Sequence, residues 1–187
     1  MGYSALRTGV AFLPLTVVLL AGSAAAATLV SRIGARPLLL AGGAASAGGL
    51  FWLSRLTEHS TYAGGLLGPM LLTGAGLGLL FVPLPLVALV RVADADSGVA
   101  ASLLNAGRQI GGSIGLAVLG TVAWTVVADG ARADAAAARA ASWQAVYRHA
   151  MAAGFDRAFL VASGIALLIV VVTIAVIRVR RADLNGS

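Results

Sequence analysis

Five long apolar runs, separated by segments that carry every arginine but one, constrain this chain more than any other feature. A hydrocarbon core of about 30 Å takes about 20 residues of helix at 1.5 Å each. In lipid each backbone group must find its partner inside the protein, so runs of this length can cross only as helices. The runs lie near residues 10–30, 37–53, 66–90, 99–127 and 158–177. They predict an all-α fold: a polytopic membrane helix bundle of five transmembrane helices, residues 1–187 forming one membrane domain. An odd number of crossings places the two ends on opposite sides. Composition agrees, with 59% hydrophobic and 11% charged residues and a mean hydropathy of +0.95. A soluble domain has about a quarter of its residues charged.

The first run opens with Phe12-Leu13-Pro14, where a proline starts or kinks a helix. The second, from Pro37 to Leu53, is the shortest and holds Gly42, Gly43, Gly48 and Gly49, which invite close packing. The third carries Gly74 and Gly78 four apart, then Pro83 and Pro85, which should bend it. The fifth is nearly all Leu, Ile and Val from Leu167 to Ile177 and reads as a peripheral, lipid-facing helix.

All thirteen basic residues are arginine. At helix ends they anchor to headgroups, so the net charge of +6 implies membrane lipids and not nucleic acid as a partner. Arg32, Arg36, Arg91, Arg178, Arg180 and Arg181 fall on one side, and Arg7, Arg55, Arg132, Arg139, Arg148 and Arg157 on the other. The second set is spread through a long connection, and long loops weigh less, so the first side is read as cytoplasmic, with a tail at 178–187. Trp52 and Trp124 then belong to one outer aromatic belt. The connection 128–157 is alanine-rich, with Trp143, Val146 and Tyr147, and reads as an amphipathic helix on the outer surface. Asp156 suits the N-terminus of the fifth span, and Asp96 with Ser97 that of the fourth. Nothing at Met1-Gly2-Tyr3-Ser4 resembles a cleavable signal peptide.

The fourth run contains the stretch with most chemistry, Ser102-Leu103-Leu104-Asn105-Ala106-Gly107-Arg108-Gln109-Ile110-Gly111-Gly112. Asn105, Arg108, Gln109 and Gly112 recur at spacings of three and four and share one polar face. Gly107, Gly111 and Gly115 make an adjacent smooth stripe for close helix packing. An arginine near a bilayer centre costs about 2.5–3.5 kcal/mol on the lenient insertion scale. Two readings stand for Arg108: it snorkels to the headgroups, or it faces a cavity or gate. Arg32, Gly34 and Arg36 likewise form either a tight turn with headgroup-binding arginines or a gating loop.

The chain has no cysteine and two isolated histidines, His59 and His149, so no metal site is expected. Neither paired intramembrane acids, nor a glycine-rich phosphate loop, nor a nucleophile with its base is visible, so neither an enzyme nor a cofactor is expected. No run holds Asp, Glu or His well inside it, so a proton site, if the chain serves a proton-coupled carrier, lies elsewhere.

Gly2-Tyr3-Ser4-Ala5-Leu6-Arg7-Thr8-Gly9 with Phe12-Leu13-Pro14, then Arg32-Ile33-Gly34-Ala35-Arg36-Pro37, then Ser102 to Asn105 with Arg108 to Gly112, carry a resemblance. The chain resembles the C-terminal part of a major facilitator superfamily transporter of the fourteen-helix drug:proton antiporter subfamily, the multidrug efflux carriers. The resemblance implies a partial C-terminal half of that fold: the last five helices of a six-helix half, without its opening helix and without the N-terminal half. It implies a multi-pass protein of the cell membrane whose partners are the missing half, protons, and small hydrophobic or cationic drug-like substrates. Asn105, Arg108, Gln109 and Gly112 would line the substrate cavity or gate, and Arg32, Gly34 and Arg36 the cytoplasmic loop motif. Ser31 stands where the family often has an acid, Ala27 where it often has glycine, and Ala5 where proline is common. The rival reading is a self-contained five-span scaffold or regulatory subunit, whose glycine stripes would be oligomer interfaces.

Overall fold

The computed structural model describes residues 5–56, 62–90, 92–137 and 143–176. Arg91, His59, Arg139, the Gly2-Tyr3-Ser4 stretch and the tail with Arg178, Arg180 and Arg181 lie outside the described residues. Six α-helices carry the fold, and no strand occurs among the described residues. They are α1 (Ala5–Ile33), α2 (Ala35–Leu53), α3 (Leu67–Phe81), α4 (Pro83–Leu89), α5 (Ser97–Ala137) and α6 (Trp143–Val176).

Among the described residues four segments are long and apolar enough to cross a membrane: Gly9–Ile33, Leu67–Leu89, Asp94–Gly130 and His149–Ala175. The second run, expected as one of five spans, falls short of that apolarity. The second run does form a helix of 19 residues, about 28 Å long. Its four glycines, with Arg36, Pro37 and Ser46, dilute its apolarity. What holds α2 in place is packing, since it lies between α3 and α6.

The helices are laid side by side in the order α1, α3, α2, α6, α5. Leu38, Leu39, Ala47, Met70 and Leu80 fill the seam between α2 and its neighbours. Ser163 of α6 donates its hydroxyl to the carbonyl of Ala47 at 2.9 Å, joining residues 116 apart in sequence. The fifth run is therefore not merely peripheral. Its small and polar positions, Ser163, Ala166 and Thr173, are buried, while Leu167, Leu168, Val171 and Val172 stay exposed. Burying the slim side lets α6 approach α2 closely and leaves its bulky side for lipid.

Helix breaks follow local chemistry. Between α1 and α2 a single residue, Gly34, turns the chain at φ 85° and ψ 169°, a backbone region open essentially only to glycine. Its N–H closes α1 on the carbonyl of Val30 at 3.0 Å. Pro83 and Pro85 interrupt the hydrogen-bond ladder, but Val82 keeps helical dihedrals, so α3 and α4 form one bent span. A π-helical turn, Tyr62–Leu66, precedes α3, and the Tyr62 hydroxyl donates to the carbonyl of Ala11 at 2.5 Å.

The 128–157 connection is not a separate surface helix. Its described residues continue α5 to Ala137 and open α6 at Trp143, because alanine-rich sequence prolongs helices already begun. Asp156 consequently sits well inside α6 and not in its first turn. It also falls within the membrane-capable segment His149–Ala175, toward its N-terminal end. Asp96 precedes α5 as expected, in a 3-10 turn (Asp94–Asp96), and Ser97 donates its hydroxyl to the carbonyl of Asp94 at 2.8 Å.

Candidate substrate-cavity and gate surface

The direction of each helix follows from its contacts. Glycines of α3 meet α1 in parallel order, Gly74 at Leu15 and Gly78 at Leu19, and meet α2 in reverse order, Gly76 at Gly42 and Pro69 at Gly49. Gly154 of α6 meets Ala123 of α5, and Gly130 meets Ala150, again antiparallel. The Gly34 turn, the end of α4, the start of α5 and the end of α6 therefore share one end of the bundle.

At that end Arg36 donates from Nη2 to the carbonyl of Ile174 at 3.3 Å. The last carbonyls of a helix have no partner within it, so this guanidinium ties the α1–α2 turn to the end of α6. Arg32 is exposed on the same turn and Gly34 is buried in it. The three residues of the loop motif thus divide: one exposed cation, one glycine with an obligate conformation, one strut between helices.

The polar face of α5 is open. Asn105, Arg108, Gln109 and Gly112 are all exposed. A methyl group added at Gly107, Gly111, Gly112 or Gly115 would meet nothing within 4 Å. Leu103 is 73% exposed and Ile110 and Ile114 are 59% exposed, so the first half of α5 has apolar flanks without cover. Its second half packs on α6, where Val127 and Ala150 are buried.

One contact places Arg108 along the neighbouring span. Its guanidinium carbon lies 5.4 Å from the centroid of the Phe81 ring, within cation–π range. Phe81 is eight residues before Leu89, the last residue of α4, or roughly 12 Å along the span. Beside this pair a groove of 490 Å³ runs between α4 and α5, lined by Ala88, Leu89, Ala100, Leu103, Leu104, Gly107 and Arg108.

Comparison with known proteins assigns the chain. It is 43% identical over 123 residues to the cephamycin export protein CmcT of Amycolatopsis lactamdurans, covering 65% of this chain and 25% of that protein. It is 38% identical over 125 residues to the puromycin resistance protein pur8 of Streptomyces alboniger, with the same coverage of 65% and 25%. It is 32% identical over 123 residues to the MFS-type transporter EfpA of Mycobacterium tuberculosis, covering 65% and 23%. The chain is a homologue of MFS-type drug exporters. It spans about a quarter of the length of the curated relatives it matches. No family model matches it.

The first half of α5 stands out because a Cβ added to its glycine stripe would meet nothing within 4 Å among the described residues. Two features of this surface were missed in the sequence. Phe81 carried no signal, because a ring at the end of a run looks like any core aromatic. The Arg36 strut requires α6 beside the first turn, and no spacing reports a contact 138 residues long.

Proposed function

We propose that this chain is part of a proton-coupled multidrug efflux transporter of the cell membrane. In this reading the Asn105, Arg108, Gln109 and Gly112 face of α5 lines the substrate cavity or its gate. The Arg32, Gly34 and Arg36 turn belongs to the cytoplasmic gate. The observation that carries the reading is the open half of α5: an exposed polar face beside glycines at which an added Cβ would meet nothing within 4 Å among the described residues. Leaving such a face to lipid costs several kcal/mol, so it is meant for helices or water beyond this chain. The matched segment is about a quarter of its relatives' length, and the rest of such a protein would supply those helices. Proton coupling rests on the family likeness, with the titrating group placed outside this segment.

The test exchanges the matched quarter of the Streptomyces alboniger puromycin resistance protein for this chain and measures puromycin tolerance in a sensitive host. Tolerance above the empty-vector level supports the reading. Tolerance unchanged by Arg108→Ala, at equal amounts in the membrane, would return Arg108 to headgroup anchoring and remove the cavity role of α5.

A further inference from the structure

The α4–α5 groove has walls of one kind and a charge of one sign. Ala88 and Leu89 of α4 and Leu103, Leu104 and Gly107 of α5 present only hydrocarbon and backbone, and Arg108 brings the one charge to the lining. Its 490 Å³ falls in the range of drug-sized sites, about 300–1,000 Å³. Phe81 supports the guanidinium through its ring face, a mode of stacking that leaves the N–H edge free to grip a second group. Among the described residues no carboxylate pairs with Arg108. Asn105 and Gln109 on the same face are neutral. Asp96 is twelve residues back along the chain, roughly 18 Å of helix and too far for an ion pair.

We propose that this groove is a subsite for a small amphipathic anion. The apolar body lies along Leu103 and Leu104, and a carboxylate, sulfonate or phosphate takes the paired N–H donors of Arg108. An unpaired guanidinium in a medium of low dielectric attracts an anion and repels a cation of the same shape. The proposal rests on the reading of α5 as a cavity helix. It departs from the hydrophobic or cationic substrates that the family resemblance implied. Gly107 is needed because a side chain there would project into the groove, where at present nothing lies within 4 Å.

Three naphthalene probes of equal size, carrying a sulfonate, a trimethylammonium or an alcohol, test it on the full 187-residue chain in phosphatidylcholine nanodiscs. The sulfonate should bind about tenfold or more tighter than the trimethylammonium. Arg108→Gln should abolish that preference while leaving the alcohol unaffected, which shows that the groove persists. Arg108→Glu should invert it. Equal affinities in the native chain, or a preference that survives Arg108→Gln, overturns the proposal. Phosphatidylglycerol in place of phosphatidylcholine should leave sulfonate binding in place; its loss would make Arg108 a lipid-headgroup site and overturn the proposal as well. Charge selectivity with a chimera that confers no puromycin tolerance would sink the transport reading alone, and tolerance without selectivity would sink the subsite alone.

Discussion

Two helices of this chain carry glycine stripes of the same kind, and the structure treats them in opposite ways. Gly74, Gly76 and Gly78 of α3 are pressed against backbone on both sides. A Cβ at Gly74 would lie 2.9 Å from the carbonyl oxygen of Leu15, and one at Gly78 would collide with that of Leu19. A Cβ at Gly107, Gly111 or Gly115 of α5 would meet nothing within 4 Å among the described residues. A small-residue stripe is therefore an offer of close approach, and whether it is taken up depends on what else the chain can bring alongside. In α3 the packed stripe cements a rigid block with α1 and α2. In α5 the unused stripe lies beside Arg108 and the open groove, where a surface reserved for other helices or for cargo belongs.

Substitution of the two stripes should break the comparison if it is wrong. The largest effect is expected from Gly78→Val, which drives a branched side chain into α1. Overpacking of this kind costs about 1–3 kcal/mol, and more where backbone must move, as here. Thermal unfolding of the chain in nanodiscs should show it. Gly34→Ala comes next, at about 1–3 kcal/mol, because alanine is strained at φ 85°. Arg36→Gln removes a charged donor from the carbonyl of Ile174 and should cost about 1 kcal/mol by the same measurement, a small loss because the group is exposed.

Gly111→Leu sharpens the contrast most. In the chain alone it should change stability by no more than about 0.5 kcal/mol, as an exposed position does. In the puromycin-resistance chimera the same change should abolish tolerance by filling the space its neighbours need. If it instead destabilises the isolated chain as Gly78→Val does, the two stripes are alike and the open face of α5 is no special surface. The smallest effect is expected from Asp156→Asn. With the proton carried outside this segment, chimera tolerance should stay within about twofold of the parent, and a collapse would locate coupling in α6.

Much of the fold was legible because lipid leaves few choices. Runs of 20 apolar residues must be helices, so α1, α5 and α6 and the bent span of α3 and α4 could be placed from residue type alone. Their ends were less legible. Alanine extends a helix without marking where the membrane stops, which is why α5 reaches Ala137 and Asp156 lies inside α6. The polar face of α5 was equally plain, because a period of 3.6 residues sorts Asn105, Arg108 and Gln109 onto one side whatever surrounds them.

The amino-acid sequence alone determined which surfaces of this protein are smooth, which are polar and which are bulky, since these are properties of residue and helical period. Only the tertiary structure decided which of them meet. Contacts such as Ser163 with Ala47, Gly74 with Leu15 and Arg108 with Phe81 arise when helices far apart in the chain choose neighbours by shape. That choice is made jointly by all the faces present, and no single stretch encodes it.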